Sequence, residues 1–372
     1  MDYAISLASV LAAAERINGP AHRTPVLTCR SLETLTARES NDSRRLFFKV
    51  SSFTDLNKCR LCCIYLLWYC NKCENLQKVG AFKYRGALNA VKRLLQEKEM
   101  KGEVEETTFI THSSGNHAQA LALAARDAKC KAVVVMPNDS PRVKQNAVRG
   151  YGAEIVLCAP TDKAREVAAN NIIKTTGAYF VHPSNDPDVM SGQGTVALEM
   201  LEQAMQEYGV VLDAIVVPIG GGGLCSGVAM ATKQSVQPGI KVFAVEPIGA
   251  SDAYNSFQER NLMGHTGPVN TVADGLRTTL GYEGYGATTA DISLKEKGDN
   301  TWPIVRDFVD EILLVSDEEI VSAMKLIWER MKLIAEPSGA VAAAAVLANK
   351  LPVGVTNVGI VISGGNVDIE NL

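Results

Sequence analysis

Residues 213–223 read DAIVVPIGGGG, an apolar, β-branched run that passes directly into four consecutive glycines. The run predicts a buried strand, and LCSGVAMATK behind the glycines predicts a helix. Four glycines free the backbone to present several N–H groups to an anion, and the following helix adds the positive end of its dipole. The stretch therefore predicts a phosphate cradle, with a tight strand-to-helix turn as the alternative. It lacks the Gly-Lys-Ser/Thr of a Walker loop and the spacing of a dinucleotide fingerprint.

The same alternation of strand and helix extends along the chain on both sides of this stretch. Short apolar runs occur at residues 107–112, 131–136, 154–158, 241–247 and 358–365, with helical patterns between successive strands. Apolar strands joined by helices indicate βαβ units, with parallel sheets that are covered on both faces. The predicted fold class is α/β, and ligands should bind beyond the carboxyl ends of the strands.

Composition and charge exclude several classes of protein. The 372 residues are 47% hydrophobic and 21% charged, which is typical of an ordered globular chain. A total of 37 basic and 41 acidic residues gives a net charge of −4, without the basic excess of a nucleic-acid binder. The N-terminus carries Asp2 where a signal peptide has a basic residue, and no apolar run is long enough to predict a membrane span. These features predict a cytoplasmic enzyme that binds neither nucleic acid nor membrane.

A polar segment follows the predicted strand at residues 107–112. It reads Ser113-Ser114-Gly115-Asn116-His117 and would place hydroxyl and amide groups at the crevice beyond the strand. Taken alone, the segment is explained by capping, because Ser and Asn are common first residues of helices.

A lysine stands between small residues in the segment GAFKYRGA, residues 80–87. At the start of a helix, a cation opposes the helix dipole, so Lys83 is unusual there. The position makes sense if the amine is neutral because it is bonded to a carbonyl cofactor. An exposed surface lysine is the alternative.

The glycine run, the SSGNH segment and Lys83 together resemble the fold-type II pyridoxal phosphate enzymes, the serine/threonine dehydratase family. The resemblance runs from TPVL (24–27) to SGGNVD (363–368) and includes SGQGTVALE, VEPIGASDA and NTWPIVRDFVDEI. It implies a tryptophan synthase β-like fold, with two open α/β domains and pyridoxal 5′-phosphate between them. The implied large domain comprises residues 1–104 and 184–372, and the implied small domain residues 105–183.

The resemblance assigns the residues that hold the cofactor. Lys83 would attach to it covalently, Phe82 would pack near its ring, and Asn116 would hydrogen-bond its 3′ oxygen. Ser363 would face the pyridine nitrogen, and a hydroxyl there leaves that nitrogen largely unprotonated. Ser184 stands where animal members have an asparagine near the cofactor. The phosphate would be held by a run of backbone N–H groups, those of Gly220, Gly221, Gly222, Gly223 and Leu224.

Substrate roles are implied in the same way. Ser114, with Ser113 and Asn116, would hold the substrate carboxylate on the face opposite Lys83, and Arg165 would lie near the substrate. A base on each face implies interconversion of L- and D-serine, with Lys83 and Ser114 as the two catalytic groups. Loss of the β-hydroxyl after deprotonation would give a 2-oxo acid and ammonia from serine or threonine. The alternatives are a threonine/serine or 3-hydroxyaspartate dehydratase that does not racemise, and an inactive product disrupted by an insertion.

Two further sites are implied by the resemblance. Glu246, the Ala250 carbonyl and Asp252 match the family's divalent-cation site, and such oxygen ligands suit Mg²⁺ or Ca²⁺. Two solvated acids at a strand-to-helix turn are the alternative reading. Ser31 and Lys78 lie where family members bind an activating ATP between the subunits of a homodimer.

Residues 50–72 intervene where the family runs from LFFK directly into CEN. This first extra segment supplies most of a paired CxxC pattern, which structural zinc sites use: Cys59, Cys62, Cys70 and Cys73. The seven residues between the pairs are fewer than the usual spacing of about 12–20. Valine codons begin GT and one lysine codon is AAG, so we favour a retained in-frame intron over a zinc site or a surface loop. A second excess, at about residues 282–299, is either an exposed loop or another unspliced piece.

Overall fold

The computed structural model describes residues 3–36, 68–103, 106–140, 142–281 and 300–368. Residues 50–67 of the first extra segment and all of residues 282–299 lie outside this part of the chain. The strands are β1 (Val26–Leu27), β2 (Trp68–Cys73), β3 (Thr108–His112), β4 (Lys131–Pro137), β5 (Glu154–Cys158), β6 (Tyr179–Phe180), β7 (Ala214–Pro218), β8 (Lys241–Pro247), β9 (Glu311–Val315) and β10 (Asn357–Ile362). The helices are α1 (Leu7–Ile17), α2 (Arg30–Leu35), α3 (Lys83–Met100), α4 (Asn116–Asp127), α5 (Arg142–Gly150), α6 (Asp162–Thr176), α7 (Pro187–Tyr208), α8 (Gly223–Lys233), α9 (Asp252–Glu259), α10 (Trp302–Phe308), α11 (Asp317–Leu326) and α12 (Pro337–Leu347). None of the described helices is both long and apolar enough to cross a membrane.

The strands form two sheets, and within each sheet most neighbouring strands are parallel. The larger has the order β1-β2-β10-β7-β8-β9 and is parallel except where β1 pairs with β2. The smaller has the order β5-β4-β3-β6 and is parallel throughout. Strand β7 is buried along its whole length, as its unbroken apolar sequence predicts for a parallel strand with helices on both faces. The α/β fold class predicted from the sequence is therefore confirmed.

Helix α7 is the longest of the described helices and packs between two other helices. Its start follows from local chemistry, because Pro187 suits the first turn and Asp186 accepts hydrogen bonds from the N–H groups of Asp188 and Val189. Its end follows from Gly209, which takes a left-handed conformation with φ 67°. The helix packs against α3 on one side and α8 on the other, so it links the segment of Lys83 to the segment behind the glycine run.

Small residues allow these three helices to cross at close distance. A Cβ atom added to Gly192 of α7 would lie 2.6 Å from the Cα of Gly86 in α3. One added to Gly194 would lie 2.8 Å from the carbonyl oxygen of Gly227 in α8. Real Cβ atoms do not approach other atoms so closely, so the glycines of the SGQG motif serve backbone contact between helices.

Strand β2 corrects the expected boundary of the first extra segment. The family resemblance predicts that residues 50–72, which follow LFFK (residues 46–49), are an addition to the fold. LFFK lies outside the described residues, and residues 68–73 form a strand between β1 and β10, with Lys72 opposite Val26. The end of the extra segment is therefore part of the larger sheet. Its origin as a retained intron stays a hypothesis.

The geometry of β2 also bears on the zinc alternative. Residues three apart on a strand point to opposite faces of the sheet, so Cys70 and Cys73 do not face one ligand. Both are buried free thiols, and Cys70 packs in the apolar core of the larger sheet. Cys59 and Cys62 lie outside the described residues. The second CxxC pair is therefore arranged as core rather than as half of a zinc site.

A buried ionic cluster fixes β2 to the helices. The Nζ of Lys72 donates to Glu199 Oε2 at 2.6 Å and to Gln203 Oε1 at 2.8 Å. Arg85, which is fully buried, donates to both Glu199 and Glu74 at 2.7 Å. Buried charges are tolerated when each is paired and hydrogen-bonded, and every cation of this cluster meets at least one carboxylate.

Candidate active site

The starts of α3 and α4 both contact the segment that follows β10. The backbone N–H of Phe82 donates to the carbonyl oxygen of Ser363 at 3.1 Å, directly before α3 begins. Asn366 Nδ2 donates to Asn116 Oδ1 at 2.8 Å, which brings the start of α4 to the same place. These contacts lie beyond the carboxyl ends of β3 and β10, where parallel sheets place their ligands.

Lys83 is the first residue of α3, and it is partly accessible to solvent. Its Nζ donates to the Pro183 carbonyl oxygen at 2.6 Å and lies 5.2 Å from the centroid of the Phe82 ring. Burial among the surrounding groups lowers the pKa of Lys83 to about 8. A larger fraction of the amine is therefore neutral at physiological pH, and the neutral form is the one that attacks a carbonyl group.

The glycine run forms a turn between β7 and α8 that has no room for side chains. A Cβ atom on Gly221 would lie 2.5 Å from Ser184 Oγ, and one on Gly223 would lie 2.6 Å from the Ser184 carbonyl oxygen. Gly222 has φ 86°, a left-handed conformation that favours glycine. The N-terminus of α8 opens from this turn, and a helix leaves its first N–H groups without partners inside the helix. The turn thus has the shape and the donors of a phosphate cradle.

Ser184 gives an independent indication that a polar group fits here. The residue is 4% exposed, and its Oγ has no hydrogen-bond partner among the described residues. That hydroxyl points toward Gly221, into the glycine turn. A buried hydroxyl without a partner is unfavourable unless a ligand or water satisfies it. Together with the accessible, readily deprotonated Lys83, the residues present fit a carbonyl cofactor that carries a phosphate.

Asn116 is held in a short network that contains an acid the sequence analysis missed. Its Nδ2 donates to Glu336 Oε1 at 2.7 Å. Burial and the negative charge of nearby Asp274 raise the pKa of Glu336 to about 7. Glu336 directly precedes Pro337, the first residue of α12, in the segment AEPSGA. The sequence signal that could have identified Glu336 is an acid directly before a helix of small apolar residues.

The two serines before Asn116 do not cap α4. The residue at the N-cap position is Gly115, and no side chain caps the helix. Ser113 Oγ instead accepts a hydrogen bond from the Gly115 N–H at 3.2 Å, and both serines are half-buried. The capping alternative is therefore wrong for this helix, and the two hydroxyl groups remain candidates for binding a ligand.

Ser363 and Arg165 occupy different settings. Ser363 is buried at the end of β10, where its Oγ lies 3.4 Å from the Ser338 carbonyl oxygen. Arg165 is half-buried on α6, where its charge acts on Cys158 at the end of β5. The structure thus places Arg165 after the carboxyl end of β5, as Ser113 and Ser114 follow the carboxyl end of β3 in the same parallel sheet.

Glu246 and Asp252 lie together at the carboxyl end of β8 and form an acidic site separate from the one around Lys83. Glu246 accepts hydrogen bonds from the N–H groups of Ala253 and Tyr254, and both acids are buried. Burial and the neighbouring Asp252 raise the pKa of Glu246 well above its usual range. The alternative of two solvated acids is therefore wrong.

The acidic site is formed by few side chains. The described residues contain no group of three or more His, Cys, Asp or Glu side chains suited to a metal ion. A cation held by Glu246 and Asp252 would therefore take its remaining ligands from carbonyl groups such as that of Ala250 and from water. Two adjacent buried acids with raised pKa values fit a divalent cation in their donor chemistry.

The two residues expected to bind a nucleotide lie on different elements of the described chain. Ser31 is exposed on α2, and its Oγ is 3.4 Å from Cys29 Sγ. Lys78 Nζ lies 3.7 Å from Asp127 Oδ2 and 5.3 Å from the centroid of the Tyr84 ring. Lys78 is thus already next to an acid and an aromatic ring in this chain.

Comparison with known proteins identifies the family of the chain. The pyridoxal-phosphate dependent enzyme family matches residues 66–364, and the chain belongs to that family. The match begins two residues before β2, which is consistent with β2 being part of the fold.

Several relatives are similar over their full length. The serine racemase of Arabidopsis thaliana is 42% identical, and the match covers 100% of this chain and 96% of that protein. The serine racemase of Homo sapiens is 40% identical, with 99% and 93% covered. Among solved structures, maize serine racemase has a TM-score of 0.81 at 37% identity, with 99% and 96% covered. A threonine deaminase from T.th. has a TM-score of 0.77 at 37% identity, with 98% and 99% covered.

Proposed function

We propose that this protein interconverts L- and D-serine with pyridoxal 5′-phosphate, and that it also eliminates water from serine and threonine. The observation that carries the proposal is the position of Lys83. Its amine, with a pKa lowered to about 8, is held at the Pro183 carbonyl beside the glycine turn. The relatives named serine racemase, which are similar over the whole chain, support the same conclusion.

When bound, pyridoxal phosphate supplies the electron withdrawal that makes the α-proton of an amino acid removable. In this proposal Lys83 attaches to it, Asn116 donates to its 3′ oxygen, and Ser363 faces its ring nitrogen. Phe82 packs beside the ring, and the phosphate is held by the N–H groups of Gly220, Gly221, Gly222, Gly223 and Leu224. The Asn116–Glu336 hydrogen bond supports this assignment, because it fixes the orientation of the Asn116 amide.

Racemisation requires proton transfer on both faces of the α-carbon. We place the Lys83 amine on one face and the Ser114 hydroxyl on the other, so that one removes the proton and the other returns it. Ser114, with Ser113 and Asn116, would also hold the substrate carboxylate, and Arg165 would lie near the substrate. Elimination from L-serine needs proton removal on only one face, which is why the same residues support both outcomes.

The experiment that tests the proposal measures both products from L-serine. Purified protein with pyridoxal phosphate should yield D-serine, detected by chiral chromatography, together with pyruvate. The Ser114→Ala variant should lose D-serine formation about a hundredfold while pyruvate formation falls much less. Pyruvate without D-serine from the unmodified protein would establish a dehydratase instead. Equal loss of both products would make Ser114 a binding residue only.

A dehydratase without racemase activity is the second candidate. It is favoured by the similarity to the T.th. threonine deaminase at a TM-score of 0.77. The same product measurement, repeated with L-threonine, separates the two candidates.

We further propose that Glu246, the Ala250 carbonyl and Asp252 bind Mg²⁺ or Ca²⁺ as a structural ion. The site joins the end of β8 to the start of α9, so chelation should lower the melting temperature and activity together. Added Mg²⁺ or Ca²⁺ should restore both, and insensitivity to chelator would contradict the assignment.

The remaining assignments extend the family resemblance. We propose a homodimer with an activating ATP near Ser31 and Lys78, and a cofactor between the domains formed by residues 1–104 with 184–372 and by residues 105–183. A cytoplasmic location is supported by the free thiols of the described chain, because thiols stay reduced there.

A further inference from the structure

A buried histidine lies directly beneath the loop that contacts Lys83. His182 follows β6 and is 8% exposed. Its Nδ1 accepts two hydrogen bonds from the backbone, from the Asn185 N–H at 2.7 Å and from the Ser184 N–H at 3.1 Å. One imidazole nitrogen therefore fixes two consecutive peptide groups of residues 183–185.

The loop of residues 183–185 touches both functional parts of the site. The Pro183 carbonyl accepts the hydrogen bond from Lys83 Nζ at 2.6 Å. The Ser184 carbonyl oxygen and Cα would lie 2.6 and 2.8 Å from a Cβ atom on Gly223, which places this backbone against the glycine turn. A shift of the loop would therefore move the partner of the amine and the wall of the cradle at the same time.

The two hydrogen bonds define the protonation state of the ring. An Nδ1 atom that accepts N–H groups must carry a lone pair, so in the neutral ring the proton is on Nε2. Burial lowers the pKa of His182 well below its usual range, and positive charge on His112, His117 or Lys83 would act in the same direction. A protonated ring would direct an N–H at two backbone N–H groups and would break the arrangement.

We propose that His182, as the neutral Nε2–H tautomer, is a positioning residue that holds residues 183–185 so that Pro183 orients the Lys83 amine and Ser184 lines the phosphate cradle. The inference rests on the proposed function for the identity of the cofactor. The hydrogen-bond geometry on which it is built does not depend on which reaction the protein catalyses.

The test compares two substitutions that differ in one property. His182→Asn keeps an acceptor near the position of Nδ1, whereas His182→Leu removes it. In the cofactor-free protein, His182→Leu should accelerate amide hydrogen exchange at residues 184 and 185 and weaken pyridoxal phosphate binding about ten- to a hundredfold, because two hydrogen bonds are lost. His182→Asn should restore most of both. Phe180→Leu is the matched control for lost packing, because the ring centroids of Phe180 and His182 are 6.1 Å apart. It should change neither amide exchange nor cofactor binding.

A measurement on the unmodified protein keeps the inference falsifiable if the Leu variant does not fold. In long-range ¹H–¹⁵N correlation spectra, the His182 signal is identified as the one that disappears in His182→Asn. In the unmodified protein that signal should show an unprotonated Nδ1, both at neutral pH and in mild acid. A protonated Nδ1 would overturn the inference. So would equal cofactor binding and equal amide exchange in the Leu variant and the unmodified protein.

These outcomes are separable from those that bear on the proposed function. If the unmodified protein binds pyridoxal phosphate but forms neither D-serine nor pyruvate, the function is wrong and the role of His182 is still measured by binding and exchange. If both products form while His182→Leu binds cofactor normally, the function stands and the inference about His182 fails.

Discussion

Two lysines eleven positions apart, Lys72 and Lys83, show how surroundings decide what an amine does. Lys72 is fully buried in β2 and donates to Glu199, Gln203 and the Thr24 carbonyl. Burial lowers the pKa of Lys72, while the carboxylates of Glu74 and Glu199 act in the opposite direction. Lys83 is partly accessible and donates to a neutral carbonyl, and burial alone lowers its pKa to about 8.

The more deeply buried amine, Lys72, faces carboxylates, whereas desolvation alone acts on the partly accessible Lys83, so counter-charge distinguishes the two. A carboxylate keeps a buried amine charged, and it thereby fixes the strand that carries it. Without a carboxylate, desolvation is uncompensated and the proton is released more readily. The protein uses the first arrangement to hold β2 and the second to present an amine to a cofactor.

The largest expected effect comes from removing the amine of Lys83. Lys83→Ala should abolish the visible absorbance of covalently bound pyridoxal phosphate and reduce both D-serine and pyruvate formation at least about a thousandfold, because none of the groups at the site can replace a nucleophilic amine. Absorbance spectroscopy and product analysis measure this. Lys72→Met is the matched control and should keep the absorbance in whatever fraction is folded.

The amine of Lys72 should matter for the stability of the fold instead. Lys72→Met removes the buried donor of Gln203 and one of the donors of Glu199, which keeps Arg85, so the free energy of unfolding should fall by about 3 kcal/mol. Urea unfolding of the cofactor-free protein measures the change. Lys78→Met, at a half-exposed pair with Asp127, should cost about 0.5 kcal/mol or less. Similar losses in the two variants would show that the ionic cluster around β2 has no special weight.

A pH series sharpens the comparison further. Only the neutral amine attacks a carbonyl, so the rate at which cofactor-free protein takes up pyridoxal phosphate should rise about tenfold per pH unit below the pKa of Lys83. The rate should level off above pH 8, because the pKa is lowered to about 8. Stopped-flow absorbance gives the profile, and Lys72→Met should leave it unchanged. A rise that continues to about pH 10.4, the ordinary lysine value, would contradict the assignment.

The smallest effect is expected when the first extra segment is deleted. Removing residues 50–72 places Lys49 directly before Cys73, at the chain position of Lys72, and LFFK at the positions of residues 69–72. The alternation of side chains along the strand is preserved, so the free energy of unfolding should change by about 1 kcal/mol or less. The soluble yield should rise, because the deletion removes the whole uncharged run IYLLWY, residues 64–69.

A second substitution in the shortened chain makes that prediction specific. Adding Lys49→Met should reproduce the loss of about 3 kcal/mol expected for Lys72→Met, because the two lysines would occupy the same register. If the shortened chain is insoluble or does not bind the cofactor, residues 68–72 are required for β2 and LFFK does not replace them.

Much of the fold and part of the site could be predicted from the sequence. Parallel strands such as β7 are buried on both faces and therefore read as unbroken apolar runs, and a run of four glycines has few uses other than close backbone approach. Lys83 was detectable because a lysine at the start of a helix conflicts with the helix dipole.

The rest depends on contacts distant in sequence. Residues 68–72 were assigned from the sequence to an extra segment, and only their pairing with β10 shows that they belong to a strand of the larger sheet. Glu336 and His182 look like ordinary polar residues until the fold buries them against Asn116 and against residues 183–185. Patterns along the chain report which residues are apolar, and they do not report which polar residues meet.

The glycine contacts between helices have a mechanical consequence for the amine. Because α3 and α7 meet backbone to backbone at Gly86 and Gly192, and α7 and α8 at Gly194 and Gly227, no side-chain rotation can absorb a displacement between them. The three helices act as one stiff block, in which Lys83 begins α3 and the glycine turn leads into α8. The spacing between the amine and the cradle is therefore set by main-chain contact. A single added methyl group at Gly192 would alter that spacing without touching either residue.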